Sequence, residues 1–406
     1  MHRVDSAGAV ENLFVDPDAS LGQQGTVVDA AILNAMQEEL ANAIEQDGTA
    51  LVKGQNNQLA GVLQGRGAFR NFAVNGLMKV AQRVPLFTTR TFFGVSAEQG
   101  FVLDRWHVDP GDLGTAIVQA ADLDLLTHNG IAQAGLPLVG GKLATYLIWN
   151  QSTTSGAVRV PRLTQRLPDV RHLAGETVTL SFYGRLAMAP DPGLDQFQLE
   201  IVQNFGTGGS PAADVVYQSA TFEIEQVFST WSRYSFTVEL DPVTAKNFGT
   251  DDNSFLQFGL VLGDGGETFN LHTTGWQLEI GSSPSALEFL PFEVELARCQ
   301  RFYQQSYAYQ TAPGSTTDVG AHKVLEKGAT PYALEQRLRC EMARVPDVVW
   351  YSPSAGTADR VDWNAVVETP GANVGVSTTS TGHPGATSHG AAADHCSAHW
   401  TAEAEF

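Results

Sequence analysis

Hydrophobic and polar residues alternate with a period of two along the middle of the chain, and this predicts β-strands. Trp276, Leu278 and Ile280 alternate with Gln277 and Glu279, which predicts a strand with one buried face. Similar alternation occurs at 178–184, 197–201, 222–224, 231–240 and 256–262. Turn-rich segments such as DPGLD and GTGGSPAAD separate these stretches. Seven or eight strands at this spacing predict a jelly-roll-like β-sandwich.

A different period marks the first helix. Between Asp29 and Gln46 the apolar residues recur every four positions, which predicts a helix with one apolar face. The stripe consists of Ile32, Met36, Leu40 and Ile44. Thr26 or Asp29 can cap its start and Gly48 its end. A second short helix is predicted from Glu293 to Tyr303, after a Ser/Pro turn.

These elements predict a mainly β protein with three parts. Residues 1–70 form a short N-terminal extended and helical attachment segment, 71–310 a central jelly-roll-like sandwich, and 311–406 a small C-terminal β domain. The first part is too small to bury its stripe alone. It therefore needs a partner: another copy of the chain, a different protein or the next domain. The last part carries predicted strands around 332–351, 361–367 and 397–402.

Composition and charge narrow the classes of function and partner that this chain can have. The chain has 43% hydrophobic residues, 40 glycines and a net charge of −20. The excess of acidic residues, with no basic cluster, argues against a nucleic-acid partner. No basic start precedes an apolar core, so no signal peptide is expected, and no apolar run is long enough to insert into a membrane. Three cysteines without CxxC spacing indicate a reducing site of synthesis.

Several segments resemble bacteriophage tail-fibre and related virion proteins that contain a carbohydrate-binding-like domain. They are TVVDAAILNAMQEELANAIEQDG with NNQLAGVL, NFAVNGLMKVAQR with DRWHV, QLEIG followed by ELARCQRFYQQSY, and HWTAEAEF near the end. The resemblance covers residues 26–66, 71–310 and the tail. No single segment is as specific as a zinc-ligand set, but three of them in the right order are fairly specific.

The resemblance implies a structural virion protein, most simply a tail fibre that binds a host-surface glycan during adsorption. It implies a homotrimer, made in the host cytoplasm, whose N-terminal segment attaches to the baseplate, tail or another virion protein. One alternative is a head fibre or decoration protein. The other is a carbohydrate-active enzyme with an accessory sugar-binding module.

Signals for catalysis are weak. No GxSxG or HExxH sequence occurs, and the many acidic residues single out no pair of glycosidase carboxylates. Cys299 falls on an apolar helix face and is interpreted as a packed thiol. We therefore expect a binding protein and not an enzyme.

Two metal hypotheses arise. His383, His389, His395 and His399 lie close together in the tail, and three copies of each around a trimer axis could hold a transition metal. The HxH spacing of such axial sites in phage fibres does not occur here, and hydrogen-bonded or exposed histidines are the simpler interpretation. Calcium could bind Asp251, Asp252 and Asn253, or Asp264 with Glu267, although solvated loops are the default interpretation.

A sugar site needs exposed aromatic rings beside polar groups. Trp231 and Trp276 belong to the alternating strands and are expected in the core. Trp350, Tyr351 and Trp363 lie near loops of the C-terminal part and are the predicted receptor-binding residues.

Overall fold

The chain is mainly β and forms two compact units. The computed structural model describes residues 5–11, 13–45, 50–59, 69–83, 90–93, 100–111, 114–122, 145–153, 160–186, 196–223, 231–262, 269–324, 332–335, 338–363, 366–367, 385–388 and 396–405. Unit 1 comprises Met1–Arg70 with Ser283–Glu288, and unit 2 comprises Asn71–Ser282 with Phe289–Phe406. Among the described residues, no helix combines the length and apolar character needed to cross a membrane.

Two antiparallel sheets form a β-sandwich in unit 2. The first sheet has the strand order β1 (Arg90–Phe93), β4 (Gly114–Asp122), β5 (Thr145–Thr153), β13 (Phe269–Ile280), β7 (Thr177–Leu186) and β11 (Ser232–Glu239). The second has the order β10 (Phe222–Glu223), β8 (Gln196–Asn204), β12 (Phe255–Leu262), β6 (Arg162–Pro168), β3 (Trp106–Asp109) and β2 (Gly100–Leu103), with β9 (Val215–Gln218) also paired to β8. The predicted alternating runs from 178 to 262 lie on or beside these strands. The jelly-roll strand order remains a prediction.

Aromatic side chains from both sheets fill the space between them. Trp276 of β13 stacks on Phe182 of β7, with ring centroids 4.3 Å apart and planes at 12°. Trp106 of β3 lies 5.0 Å from Trp276 and 6.2 Å from Phe258 of β12. All four side chains are buried, and such burial stabilises a fold by roughly 2–3 kcal/mol per large apolar side chain. The sandwich therefore has one continuous core.

Strand β13 differs from its prediction. Trp276 and Leu278 are buried as expected, but Gln277 and Glu279 are also buried, while Ile280 is 50% exposed. The prediction of a single buried face was therefore wrong. Gln277 Nε2 donates to Glu279 Oε1 at 3.3 Å, so the polar side chains on the second face bind each other. A register shift between Thr274 and Gln277 interrupts the regular pleat.

The second helix, α2 (Phe292–Gln300), is shorter than predicted. It ends because Arg301 and Phe302 donate their backbone N–H groups to Arg298 and Cys299, in tight turns. The following residues extend into β14 (Tyr303–Gln305). Cys299 is fully buried, and burial raises the pKa of its thiol, which agrees with the interpretation as a packed side chain.

A third sheet is organised around β21 (Cys396–Glu403), which agrees with the predicted last strand. This strand pairs with β14, β15 (His322–Val324), β17 (Asp347–Tyr351) and β18 (Asp362–Trp363), and β18 also pairs with β19 (Val366–Val367). β16 (Tyr332–Glu335) and β20 (Gly385–Ser388) form a separate pair. Because β14 precedes residue 310, this sheet joins residues from both sides of the predicted boundary.

Unit 1 contains helix α1 (Ala30–Glu45), close to the predicted limits. The Asp29 carboxylate accepts a hydrogen bond from the Ile32 backbone N–H at 3.0 Å, so Asp29 caps the helix start. A 3-10 turn at Val170–Leu173 in unit 2 is the remaining short helical segment that the structure describes between the sandwich strands.

Candidate functional site

Asn75 is the centre of a buried polar network in unit 2. Its side-chain Nδ2 donates to the backbone oxygens of Val80 at 2.9 Å and Asp104 at 3.0 Å. Its Oδ1 accepts from the backbone N–H groups of Lys79 and Val80 at 2.8 and 2.9 Å. The amide therefore uses both donors and both acceptor positions within the protein. This fixes the loop after NFAVNG against the start of DRW.

The backbone of Asn75 makes further bonds to distant elements. Its N–H donates to Glu295 Oε2 of α2 at 2.6 Å, and its oxygen accepts from Trp106 Nε1 at 3.0 Å. Glu295 is also paired with Arg298 at 2.7 Å. Asn75 has φ of 58°, a left-handed conformation that Asn tolerates better than most residues. Three separate segments consequently meet at this one residue.

Arg105 extends the network to the residues after β21. Its guanidinium pairs with the Glu405 carboxylate, donates to the backbone oxygen of Arg166 and lies 3.4 Å from the ring centroid of Phe302. Only 1% of its side chain is exposed. Burial lowers the pKa of the Arg105 guanidinium, and the neighbouring Glu405 carboxylate offsets only part of that decrease. Without Glu405, a buried cation would lose its counter-ion.

Arg83 connects this network to the surface. Its guanidinium lies 3.4 Å from Asp104, 3.2 Å from Glu405 and 3.5 Å from Glu403. Asp104 also accepts from the backbone N–H of Gln82 at 2.6 Å. We call the set Asn75, Gln82, Arg83, Asp104, Arg105, Glu295 and Glu405 the four-segment network, because its members come from four of the segments that carry the phage-fibre resemblance.

Burial dominates the electrostatics of this network. It raises the pKa of Asp104 to about 6, although Arg83 acts in the opposite direction. For Arg83, burial lowers the pKa but the carboxylates of Glu405 and Asp104 raise it more, so the guanidinium stays charged. Its Nε atom is buried with no hydrogen-bond partner among the described residues. The Nε atom of Arg105 is also buried without a partner among the described residues, so the network serves the structure of the protein.

A groove of about 550 Å³ lies over Arg83, and we call it the Tyr351 groove. Its polar lining includes Arg83, Arg344, Asp347, Tyr351, Thr401 and Glu403. Tyr351 is half-buried, its ring lies 6.0 Å from that of Tyr307, and burial raises the pKa of its hydroxyl. An aromatic edge beside hydrogen-bonding groups of both charges is a surface that can hold a sugar.

The three predicted receptor residues have different positions. Tyr351 lines the groove, but Trp350 is 1% exposed and packs in the C-terminal core with Trp400 and Met342. This corrects the expectation of an exposed Trp350, because alternation along β17 turns neighbouring side chains to opposite faces. Trp363 ends β18, and its side chain lies outside the described residues.

Of the four tail histidines, the structure describes His399. It is fully buried and stacks on Tyr307, with ring centroids 3.8 Å apart. Nδ1 lies 2.9 Å from Ser306 Oγ and Nε2 lies 2.8 Å from the Thr317 backbone oxygen, so protein groups occupy both nitrogens. His383, His389 and His395 lie outside the described residues. The described part of the chain contains no group of three metal-ligating side chains.

Ser306 and His399 form a pair that the sequence did not reveal. Because the Thr317 oxygen accepts from Nε2–H, Nδ1 is free of hydrogen and accepts from the Ser306 hydroxyl. The Ser306 oxygen in turn accepts from the Trp400 backbone N–H at 2.9 Å. Burial lowers the pKa of His399 and favours the neutral ring. The ring is fully buried and its second nitrogen binds a backbone carbonyl, so the pair has a structural role. It joins β21 to the segments that contain Ser306 and Thr317.

The acidic loop proposed for calcium contacts the GTGGS turn instead. Asp251 Oδ2 accepts from Thr207 Oγ1 at 2.8 Å, and Asn253 Oδ1 accepts from the Thr207 backbone N–H at 2.8 Å. Gly208 has φ of 78°, and a Cβ there would lie 2.4 Å from Asp251. Side-chain oxygens of Asp251 and Asn253 therefore bind the GTGGS turn. Asp264 and Glu267 lie outside the described residues.

The apolar face of helix α1 is partly buried and partly exposed. Ile32 and Ile44 are 4% and 8% exposed, whereas Met36 and Leu40 are 43% and 48% exposed. Leu33, not assigned to the predicted stripe, is 54% exposed. The exposed part of the face therefore follows Leu33, Met36 and Leu40, and this is the part available to a partner.

Sequence reasoning missed the polar residues of the four-segment network. Asp104 and Arg105 lie between strongly β-forming residues in FVLDRWHV, and charged residues inside such a run signal a buried pair. Glu405, the partner of Arg105, is 300 positions away along the chain, so spacing alone cannot identify it.

No known family model matches the chain, and no curated protein matches it. Among solved structures it is similar to the enzymatically active domain of tailspike protein 4 from bacteriophage CBA120, at 11% identity and a TM-score of 0.28, over 52% of this chain and 22% of that one. The CBM22-1 xylan-binding domain from Paenibacillus barcinonensis Xyn10C aligns at 15% identity and a TM-score of 0.27, over 50% of this chain and 99% of that one. A family 11 carbohydrate-binding module from Clostridium thermocellum aligns at 11% identity and a TM-score of 0.26, over 48% and 96%. At these TM-scores the likenesses carry no conclusion about what this chain binds.

Proposed function

We propose that this protein is a structural component of a phage particle, a tail fibre that binds a glycan on the host surface and catalyses no reaction. The observation that supports this is the convergence of the four-segment network. Asn75, Asp104, Glu295 and Glu405 come from separate segments that resemble phage fibres, and hydrogen bonds or ion pairs join them or their neighbours. The segments that resemble phage fibres thus contact one another in the folded protein.

The Tyr351 groove is the proposed glycan contact in the C-terminal sheet. Hydroxyl groups of a sugar can both donate and accept hydrogen bonds, and the groove offers donors on Arg344 and acceptors on Asp347 and Glu403. The ring of Tyr351 supplies an amphipathic surface. Replacing Tyr351 by Ala should weaken glycan binding at least fivefold.

The exposed face of α1 is the proposed attachment surface to the particle. Twelve of the eighteen large apolar side chains that are exposed in the described chain belong to unit 1. Such a concentration is typical of a surface that another protein covers. The partner is a baseplate, tail or other virion protein.

Location and activity can be tested on a phage that carries this protein. Gold-labelled antibody against residues 1–60 should bind at the tail in electron micrographs of particles with the tail partly dissociated. Labelling of the head would favour a head fibre, and particles lacking the protein would contradict the proposal.

Purified protein should also compete with phage adsorption to host cells. Release of reducing ends from host polysaccharide would instead favour the enzyme.

A further inference from the structure

A second groove lies on the sandwich, on the outward face of its second sheet. It has a volume of about 460 Å³ and is formed by side chains of β6, β8, β9 and β12, whose alternate residues point away from the core. Cross-strand pairing places Gln257 beside Arg166 on one side and beside Val202 on the other. We call this the sheet-face groove. It lies apart from the Tyr351 groove and shares no lining residue with it.

Polar side chains in this groove are held in fixed positions. Glu200 is 4% exposed, and its two oxygens accept from Arg162 Nη1 at 3.0 Å and Gln218 Nε2 at 2.8 Å. Arg166 Nε donates to Gln257 Oε1 at 2.9 Å. The result is a row of planar amide, guanidinium and carboxylate groups. Adjacent hydroxyl groups of a pyranose match such planar groups, since each hydroxyl both donates and accepts.

The charges in this groove balance. Arg162 and Arg166 carry two positive charges, and Glu200 and Asp214 carry two negative charges. Asp214 is also bound to Asn204 Nδ2 at 2.9 Å. Polyanions are attracted to surfaces with an excess of Lys and Arg. A groove without net charge offers them no such long-range attraction. The charge pattern fits a neutral ligand with many hydroxyl groups.

Apolar side chains complete the surface. The half-buried ring of Phe255 lies 4.5 Å from the Arg166 guanidinium carbon, and Val216 on β9 is 53% exposed. Sugar rings present C–H groups on one face and hydroxyl groups at their edges. Phe255 and Val216 can therefore cover the C–H face while the polar row binds the edges.

We propose that the sheet-face groove binds a neutral glycan chain. This inference rests on the proposed glycan-binding function but adds a second site with its own ligand class. A glycan held on the sandwich as well as in the Tyr351 groove would be bound at two places. Two linked contacts hold a polymeric ligand more tightly than either contact alone.

The test is an array of neutral and acidic microbial glycans, probed with full-length wild-type protein and with variants. Gln257→Ala removes part of the polar row, and Val216→Glu obstructs the groove from an exposed position. Gln198→Ala, on β8 but outside the groove, is the matched control, and thermal unfolding checks each variant. We expect at least one neutral glycan to bind wild type, with at least fivefold weaker binding to both groove variants and unchanged binding to Gln198→Ala.

The other outcomes separate the two proposals. Neutral-glycan binding that Tyr351→Ala removes and both groove variants retain would overturn the sheet-face site and leave the proposed function standing. Binding confined to acidic glycans would also overturn this site alone. A wild-type protein that binds no glycan on the array would overturn both.

Discussion

At the scale of single residues, a few buried polar side chains in unit 2 each hold several segments together. Asn75 is the clearest case, because its amide makes four hydrogen bonds while its backbone takes a left-handed conformation. A substitution of Asn75 can therefore lower the free energy of unfolding in two ways, and different variants can separate them. One is the loss of hydrogen bonds to buried groups, and the other is backbone strain.

Replacing Asn75 by Ala should lower the free energy of unfolding by roughly 3–5 kcal/mol, since several buried groups lose their partners. Asn75→Gly should be less damaging than Asn75→Ala by about 1 kcal/mol, because Gly accepts positive φ without strain. Urea denaturation measures both changes. Asn247→Ala, at an exposed position, is the control and should differ little from wild type. Equal losses for the Ala and Gly variants would contradict the strain component.

Asp104 should make the stability of the protein depend on pH. Its pKa is about 6 in the folded protein, raised by burial above the ordinary value, so the folded state holds a proton that the unfolded state releases. This contribution is complete below about pH 4 and is lost as pH rises through about 6. The difference in unfolding free energy between wild type and Asp104→Asn should therefore shift by about 2 kcal/mol, to the disadvantage of wild type, between pH 4 and 7.

The measurement is urea denaturation at a series of pH values. Asp318→Asn, whose parent side chain is 71% exposed, is the control for loss of a surface carboxylate. A parallel profile for Asp104→Asn would show that Asp104 does not titrate in this range.

At the scale of elements, strand faces and helix faces determine which surfaces remain for partners. The second sheet keeps a polar outward face with a groove, whereas β13 in the first sheet is buried on both faces. Helix α1 buries Ile32 and Ile44 but exposes Leu33, Met36 and Leu40. On the proposed attachment role, the residues of α1 that stabilise unit 1 differ from the residues that would bind a partner.

The double substitution Met36→Glu with Leu40→Glu should keep the isolated protein folded and prevent its incorporation into phage particles. Both side chains are more than 40% exposed, so their replacement removes little buried area. Circular dichroism checks the fold, and immunoblotting of purified particles measures incorporation. The control Glu38→Gln with Glu39→Gln changes two neighbouring residues of the helix without adding charge. Normal incorporation of the Met36/Leu40 variant would contradict the attachment role.

At the scale of the whole molecule, the strand pattern and the core aromatics were predictable from sequence, because both depend on short-range periodicity. Helix α1 with its Asp29 cap, strand β21 and the buried Trp231 and Trp276 follow from local patterns. The second buried face of β13 did not follow, since the layer that covers a strand is set by distant parts of the chain. Alternation along β17 places Trp350 and Tyr351 on opposite faces, but sequence alone could not say which of the two faces the core.

Assembly is the remaining question at this scale. We expect a homotrimer, and light scattering of the full-length protein should give a mass near three times 43.5 kDa. The exposed apolar residues of unit 1 offer surface for such an association. A sharp monomer peak at micromolar concentration would contradict the trimer, and the exposed α1 face would then need a partner other than a second copy of this chain.

The ion pair between Arg105 and Glu405 joins residues 300 positions apart, and this separation has a consequence for synthesis. A ribosome that adds 5–20 residues per second makes Glu405 roughly 15–60 seconds after Arg105. During that interval the guanidinium has no carboxylate from Glu405, and burying it unpaired is unfavourable. We therefore expect the sandwich to close fully only after translation has reached Glu405. We expect prematurely terminated products to keep apolar surface exposed, which would make them targets for chaperones and proteases.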